Sequence, residues 1–559
     1  MISSTHPLAL AALVALAAGC AARRDEPAQQ PSKGDPAALT VVAEIALERG
    51  ECRTASETYL DAAGRGTVTV AKRATEVALQ CQQLPVAWKA AQRWRTLAPK
   101  DRDAASIAAV VALKLHRIGD ARAAIEWLVA NAEPAAADTG LIELLSLLAK
   151  EADAPTALFV AAPFVESRAS LPDLQAALGA LALEAWALER AERYARRALE
   201  QDPQSVPGRR VLSRVHAARG EAQDAIDLAR GLVESDPERS RYELAETFAA
   251  LDRLEESRLE LERLRSADVP AAEIDRRLAV LAFEGGDLAE AQRRFVDLAA
   301  SGEAREASLF YLADIAARDG DADTALAGYR RLADSSLALA ARARAADLLL
   351  ARSERAAALA MLDDYASAHP DRGFDTILAK AHVLADHGEA STGVQLLDAA
   401  LDRYPGHPSL QYERAVMLER AGRIREAVAG LERLLDERPD DPTMLNALGY
   451  TLADHKLELH RAESLIRRAL AFSPDSPAML DSLGWVRFRR GDMRSAVPVL
   501  QRAWTIGRDA EIAAHLGEAL WLAGRQQDAR RTWAAALARH PDSEALKATI
   551  ARFVPPDET

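Results

Sequence analysis

The last third of the chain repeats one pattern of apolar and polar positions about every 34 residues. One unit starts at Gln411 (QYERAVMLERAGRIREAVAGLERLLDERPD) and the next at Asn446 (NALGYTLADHKLELHRAESLIRRALAFSPDS). Two more start at Asp481 (DSLGWVRFRRGDMRSAVPVLQRAW) and Ala514 (AHLGEALWLAGRQQDARRTWAAALARHPDS). The pattern predicts paired helices, because an apolar stripe at helical spacing runs into a turn, a second stripe follows, and a proline closes the unit. Gly449, Gly484 and Gly517, each after a leucine, let the second helix approach the first closely. Ala427, Ala462, Ala496 and Ala529 do the same from the other side. Gly422, Gly491 and Gly524 supply the sharp turn between helices. Pro405, Pro439, Pro474 and Pro541 end one unit and begin the next.

The small-residue mark of the second helix continues upstream at Ala55, Ala87, Ala124, Ala157, Ala191, Ala225, Ser257, Ala291, Ala325, Ala358 and Gly393. Its spacings run from 32 to 37 and are mostly 33–35. Leu-Gly in the first helix, Gly at the turn, Ala in the second helix and a closing Pro resemble the tetratricopeptide repeat. A lone helical hairpin cannot bury its own apolar stripe, so stacked neighbours must form the core. The expectation is an all-α chain, a tetratricopeptide-repeat superhelical solenoid of about 15 helical hairpins, with a concave groove lined by first helices. Residues 39–270 read as an N-terminal degenerate array. Residues 271–555 read as a C-terminal array, near consensus from about 374. The short unit Ser240–Asp268, followed by Val269-Pro270, is the expected kink between them.

The N-terminus follows a different pattern. Residues 8–19 form an apolar run of twelve that ends at Cys20, too short to span a bilayer and of the length of a signal-peptide core. Ala17, Ala18 and Gly19 before Cys20 resemble the bacterial lipobox, although Ala17 stands where leucine is commonest and the first seven residues carry no Lys or Arg. The resemblance implies residues 1–20 as a lipoprotein signal peptide with acyl chains on Cys20, a lasting membrane anchor. Ala21 in place of Asp then implies the outer membrane, with the body facing the periplasm. An ordinary secretory peptide with an incidental cysteine is the alternative. Residues 21–38 lack apolar periodicity and read as a flexible tether.

Composition narrows the function. Asp and Glu outnumber Lys and Arg by 84 to 70, a net charge of −14, which argues against a nucleic-acid binder. Aromatic residues are only 5%, and the apolar mass is Ala and Leu, which excludes a β-sandwich or barrel. Neither GxSxG, HExxH, GxxxxGK[ST] nor a strand-borne GxGxxG occurs, and the eleven histidines are scattered. No enzyme, cofactor or metal site is expected, and the catalytic set is empty. Cys52 falls at the start of the second helix of the first repeat and Cys81 near the end of the next first helix. Antiparallel stacking brings those ends together, within reach of a disulfide in an oxidising compartment. Two separately buried thiols are the alternative. Tyr450, Trp485, Phe488 and Trp521, with Asn446 and Arg489 nearby, fall where first helices turn toward the groove, as candidate protein-binding anchors. Packing between adjacent helices is the equal alternative.

Lipobox, tether, long array and the stretch NALGYTLAD…DSLGW…IAAHLGEALW together resemble the Gram-negative outer-membrane tetratricopeptide lipoproteins. That group includes the lipoprotein partner of carboxyl-terminal processing protease. The resemblance implies a non-enzymatic adaptor that binds a periplasmic protease and presents peptidoglycan hydrolases to it. A second reading is an assembly factor for an envelope secretion, pilus or exopolysaccharide export machine. The Lys and paired-Asn pattern of chaperone-tail receptors is missing. Self-association through the degenerate N-terminal repeats is a further expectation, since end units must cap or pair their apolar faces.

Overall fold

The computed structural model describes residues 35–554, apart from 50, 132–133, 167–170, 236, 266–270, 303, 334 and 542. The expected signal peptide, Cys20 and most of the expected tether lie outside the described residues, as does the Val269-Pro270 junction. Among the described residues there are 31 α-helices, one short 3-10 turn and no strand. They pair in order as fifteen antiparallel hairpins, from Pro36–Glu48 with Cys52–Arg65 to Ala510–Leu522 with Gln526–Arg539, and Glu544–Ala551 follows as a final single helix. The fold is the expected helical solenoid. Each helix packs on its neighbours in sequence, and helices Leu254–Arg265 and Ala271–Glu284 meet across the undescribed junction.

The repeating small residue explains the packing. From Ala55 to Ala529, every Ala of the register is 0% exposed, as is Ser257, and Gly393 is buried. Each sits on a second helix at its contact with the first. The first helices meet that contact with glycine. A Cβ on Gly449 would stand 2.6 Å from Ile466 Cγ1, one on Gly484 would stand 2.5 Å from Leu500 Cγ, and one on Gly517 would enter the Trp533 indole ring. Larger side chains then fill the space between hairpins, including Tyr59, Tyr194, Phe295 and Trp533, each at most 2% exposed.

The two ends of the array differ. At the C-terminus, Leu546, Ile550 and Val554 of the last helical segment are buried and close the core. At the N-terminus, helix Pro36–Glu48 leaves Val41, Val42 and Ile45 between 42% and 59% exposed.

The array coils until its second half touches its first, and the contacts follow one rule. Turns between the two helices of early hairpins meet loops between hairpins of the later part. Arg53 and Gln83 donate to the carbonyls of Asp402 and Arg403. His116 stands 3.7 Å from Asp441, and Phe159 meets Phe472 edge-on at 5.4 Å. Asp475 is bound twice: its N–H donates to Trp186 O at 2.9 Å, and its Oδ2 accepts from Leu188 N–H at 2.9 Å. Asp252 pairs with Arg508 and Arg539. These pairs are separated by 256 to 349 residues in the chain.

The turns between paired helices share one backbone conformation. Gly422, Gly491 and Gly524 take φ of +73°, +83° and +81° at the turn between helices, as the sequence predicts. At the equivalent turns on the early side of the seam stand Gln82, His116, Trp186 and Asp252, with φ between +53° and +64°. A side chain in this region costs about 1 kcal/mol or more. His116 and Asp252 make their seam contacts through side chains that a glycine lacks, while Trp186 makes its bond to Asp475 through its carbonyl.

Several seam groups are titratable and buried. Burial lowers the pKa of His116 despite the nearby Asp441, and raises that of Asp153 despite its bonds from Thr156. Arg438, close to His407, is lowered by burial as well. His407 lies 4.6 Å from Phe374 and its two ring nitrogens have no hydrogen-bond partner. Burial, then Arg438 and Lys114, push it down to about 4.

Two outcomes are expected. Gly517→Ala should cost about 1–3 kcal/mol through overpacking against Trp533. Because repeats stabilise mainly their neighbours, amide exchange should accelerate over helices Ala510–Leu522 and Gln526–Arg539 and stay unchanged in the first three hairpins, from Pro36–Glu48 to Ile118–Ala130. For His407, the folded protein refuses a proton that the unfolded chain accepts near pH 6.5. Its contribution is therefore complete above about pH 6.5 and is lost as pH falls toward 4, by up to about 3 kcal/mol. Denaturant titrations across that window should show a shallower loss for His407→Leu than for the wild-type chain.

Candidate functional site

The concave side of the array and its seam form one continuous cleft. Its largest part is a cavity of about 1,140 Å³ between the turns of the early repeats and the C-terminal end of helix Met493–Gly507 with Arg508. Trp186, Tyr242 and Phe283 line it together with paired charges. Arg210 stands 3.0 Å from Glu243, Arg214 3.2 Å from Glu184, and Arg277 2.6 Å from Glu246 and 3.1 Å from Glu284. Burial opposes the charge of Arg277, yet its two glutamates hold its pKa above the ordinary arginine value. Such pairs stand on first helices because the register buries the opposite face of each helix against its partner. At partly exposed positions an ion pair contributes about 0–1 kcal/mol, so a partner's own charges can replace it at little cost.

A second cavity, of about 600 Å³, is built from the N-terminal halves of three successive first helices and closed by Trp186. Asn446 and Tyr450 line it, together with Asp481, Asp509 and Glu511. Tyr450 O–H donates to Glu511 Oε1 at 2.7 Å, and burial followed by that carboxylate raises its pKa.

The other candidate anchors are placed differently. Trp485 is 4% exposed, stacked on His515 at 3.9 Å and on Phe488 at 4.9 Å, and its Nε1–H donates to Asp454. Phe488 is buried beside it. Arg489 donates to Asp454 Oδ1 at 2.7 Å and covers the Trp485 ring at 4.4 Å. Trp521 is half-buried against Trp533 and Phe553 near the C-terminal end. Spacing along a helix gives the direction of a side chain only to within a neighbour's reach, and here the next hairpin takes up the rings of Trp485 and Phe488. Sequence reasoning missed Trp186 and Asp481 as lining residues; Trp186 stands where a turn glycine is expected, a change that Ser353 and Lys456 share.

Cys52 and Cys81 are joined by a disulfide with Cα atoms 5.3 Å apart. Cys52 opens helix Cys52–Arg65 and Cys81 follows helix Val68–Gln80, so consecutive hairpins are stapled. Among the described residues, two groups bring three His or carboxylate ligand atoms within 4.8 Å: His216, Glu221 and Asp224, and Glu419, Asp454 and His455. The second is already occupied by bonds from Thr451, Trp485 and Arg489.

A family model described as tetratricopeptide repeat matches residues 177–240, 378–442 and 418–477. Those segments of the chain match the tetratricopeptide repeat. Its repeats are also similar to a tetratricopeptide repeat-containing protein of Pseudomonas aeruginosa, at 30% identity over 161 residues. That alignment spans 29% of this chain and 27% of the relative's own length. Among solved structures, a thermophilic repeat protein of Thermus thermophilus shares 22% identity, covering 32% of this chain and 97% of that one, with a TM-score of 0.30. The Cut9–Hcn1 hetero-tetramer chain covers 94% of this chain and 97% of its own, at 14% identity and a TM-score of 0.31. Tetratricopeptide repeats imply a scaffold for protein–protein interaction.

Replacing Cys52 and Cys81 by serine should remove about 3–4 kcal/mol, the entropy of closing a 29-residue loop. Limited proteolysis should then cut within residues 36–97 first, whereas the oxidised wild-type chain resists at those sites.

Proposed function

We propose that this chain is a non-enzymatic adaptor held at the periplasmic face of the outer membrane by lipid on Cys20. Its array binds a carboxyl-terminal processing protease and presents cell-wall hydrolases to it. The observation that carries this reading is the cleft between the early and late repeats. It is wide enough for a polypeptide segment and lined with charge pairs that a partner can displace. Two proteins held on one scaffold meet at a raised effective concentration without new chemistry on the scaffold itself. The leader and lipobox support placement in the envelope, and the disulfide between Cys52 and Cys81 suits an oxidising compartment.

Affinity capture from cross-linked envelopes tests the proposal. Recovery of a PDZ-containing protease together with peptidoglycan hydrolases is the expected result, and hydrolase levels should rise when the chain is deleted. Recovery of only secretin, pilus or polysaccharide-export components would replace it with the role of an assembly factor for such a machine.

A further inference from the structure

The 600 Å³ cavity has an unbalanced lining. Asp481, Asp509 and Glu511 bring three carboxylates to it, and no Lys or Arg is among its lining residues. Asp481 is 4% exposed. Its Oδ2 is paired with His515 Nδ1 at 2.8 Å, while its Oδ1 has no hydrogen-bond partner. Asn446 presents a second buried acceptor, Oδ1, that also lacks a partner. Leaving a buried acceptor unpaired costs about 1–3 kcal/mol, more when it is charged. Both oxygens are closed off from solvent, so a donor entering the cavity reaches them as the Asp481 and Asn446 side chains turn toward it.

The walls add to this. Trp186 is 36% exposed and Tyr450 stands across the same cavity, and aromatic faces attract cations. A divalent metal fits less well, because the places where three ligand atoms converge within 4.8 Å lie at other residues. A guanidinium or ammonium group on a flexible stem satisfies all the features at once. It has several N–H donors, a positive charge and an apolar stem to lie against the rings.

We infer that this cavity is a receptor for an arginine or lysine side chain of a bound polypeptide, held by Asp481 Oδ1 and Asn446 Oδ1 between Trp186 and Tyr450. The inference rests on the reading of the cleft as a polypeptide-binding surface and specifies the chemistry of one position in the ligand. Since Trp186 comes from the early repeats and the rest from the late ones, the site is complete only when the seam is closed.

The lipid-free chain is panned against a displayed library of random twelve-residue peptides, and the selected peptides are measured by fluorescence anisotropy. The expected result is a basic residue enriched at one position. Replacing it by citrulline, a neutral arginine isostere, should weaken binding at least tenfold, and Asp481→Asn should abolish the preference for arginine over citrulline. Because Asp481 also partners His515, Asn446→Leu provides a second variant that leaves that pair intact and should reduce affinity for the basic peptide. Selected peptides without a basic residue, or equal affinity for arginine and citrulline versions, would overturn the inference and leave the polypeptide-binding cleft standing. Selection of no peptide at all would overturn both.

Discussion

Close approach of two helices at a small residue is the interaction on which the remaining structure depends. With Ala, Ser or Gly buried at each of fifteen second-helix positions, the two axes of a hairpin can come near enough for their backbones to share one layer of side chains. A larger residue there would splay the pair, and the error would pass to every hairpin beyond it. Repeat proteins have little long-range cooperation to correct such errors, so the tolerance at each mark is narrow. That is why the register survives in hairpins where the turn glycine and the closing proline have gone.

Repetition also explains how an array with only neighbour contacts acquires a tertiary fold. Each hairpin is rotated slightly relative to the last, and the rotations accumulate until Trp186 reaches Asp475 and Asp252 reaches Arg508 and Arg539. The seam is largely polar, unlike the apolar layers between hairpins. Polar contacts contribute less net stability than apolar burial of the same extent, because water competes for the same groups. The seam therefore costs less free energy to open than the apolar layers between hairpins.

The site follows from the same geometry. Polar side chains on three first helices, Asn446, Asp481 and Glu511, converge because the helices are parallel and one repeat apart. Asp481 and Glu511 gain their meaning from Trp186, which lies about 300 residues earlier in the chain and forms the opposite wall. Charge pairs along the larger cavity repeat at the same interval for the same reason. The binding surface is thus a product of the period, and its chemistry is set by the few residues that break the period.

Hairpin number, the fifteen small-residue marks, the turn glycines and the adjacency of Cys52 and Cys81 could all be read along the chain, because each depends on contacts within one repeat or between two consecutive ones. Such contacts leave a periodic trace. The direction of individual rings could not, and Trp485 and Phe488 turned into the layer between hairpins while Tyr450 and Asn446 face a cavity. Closure of the array and the lining of its cleft were decided by tertiary structure alone. They depend on the sum of many small inter-repeat rotations, and no single residue carries that sum.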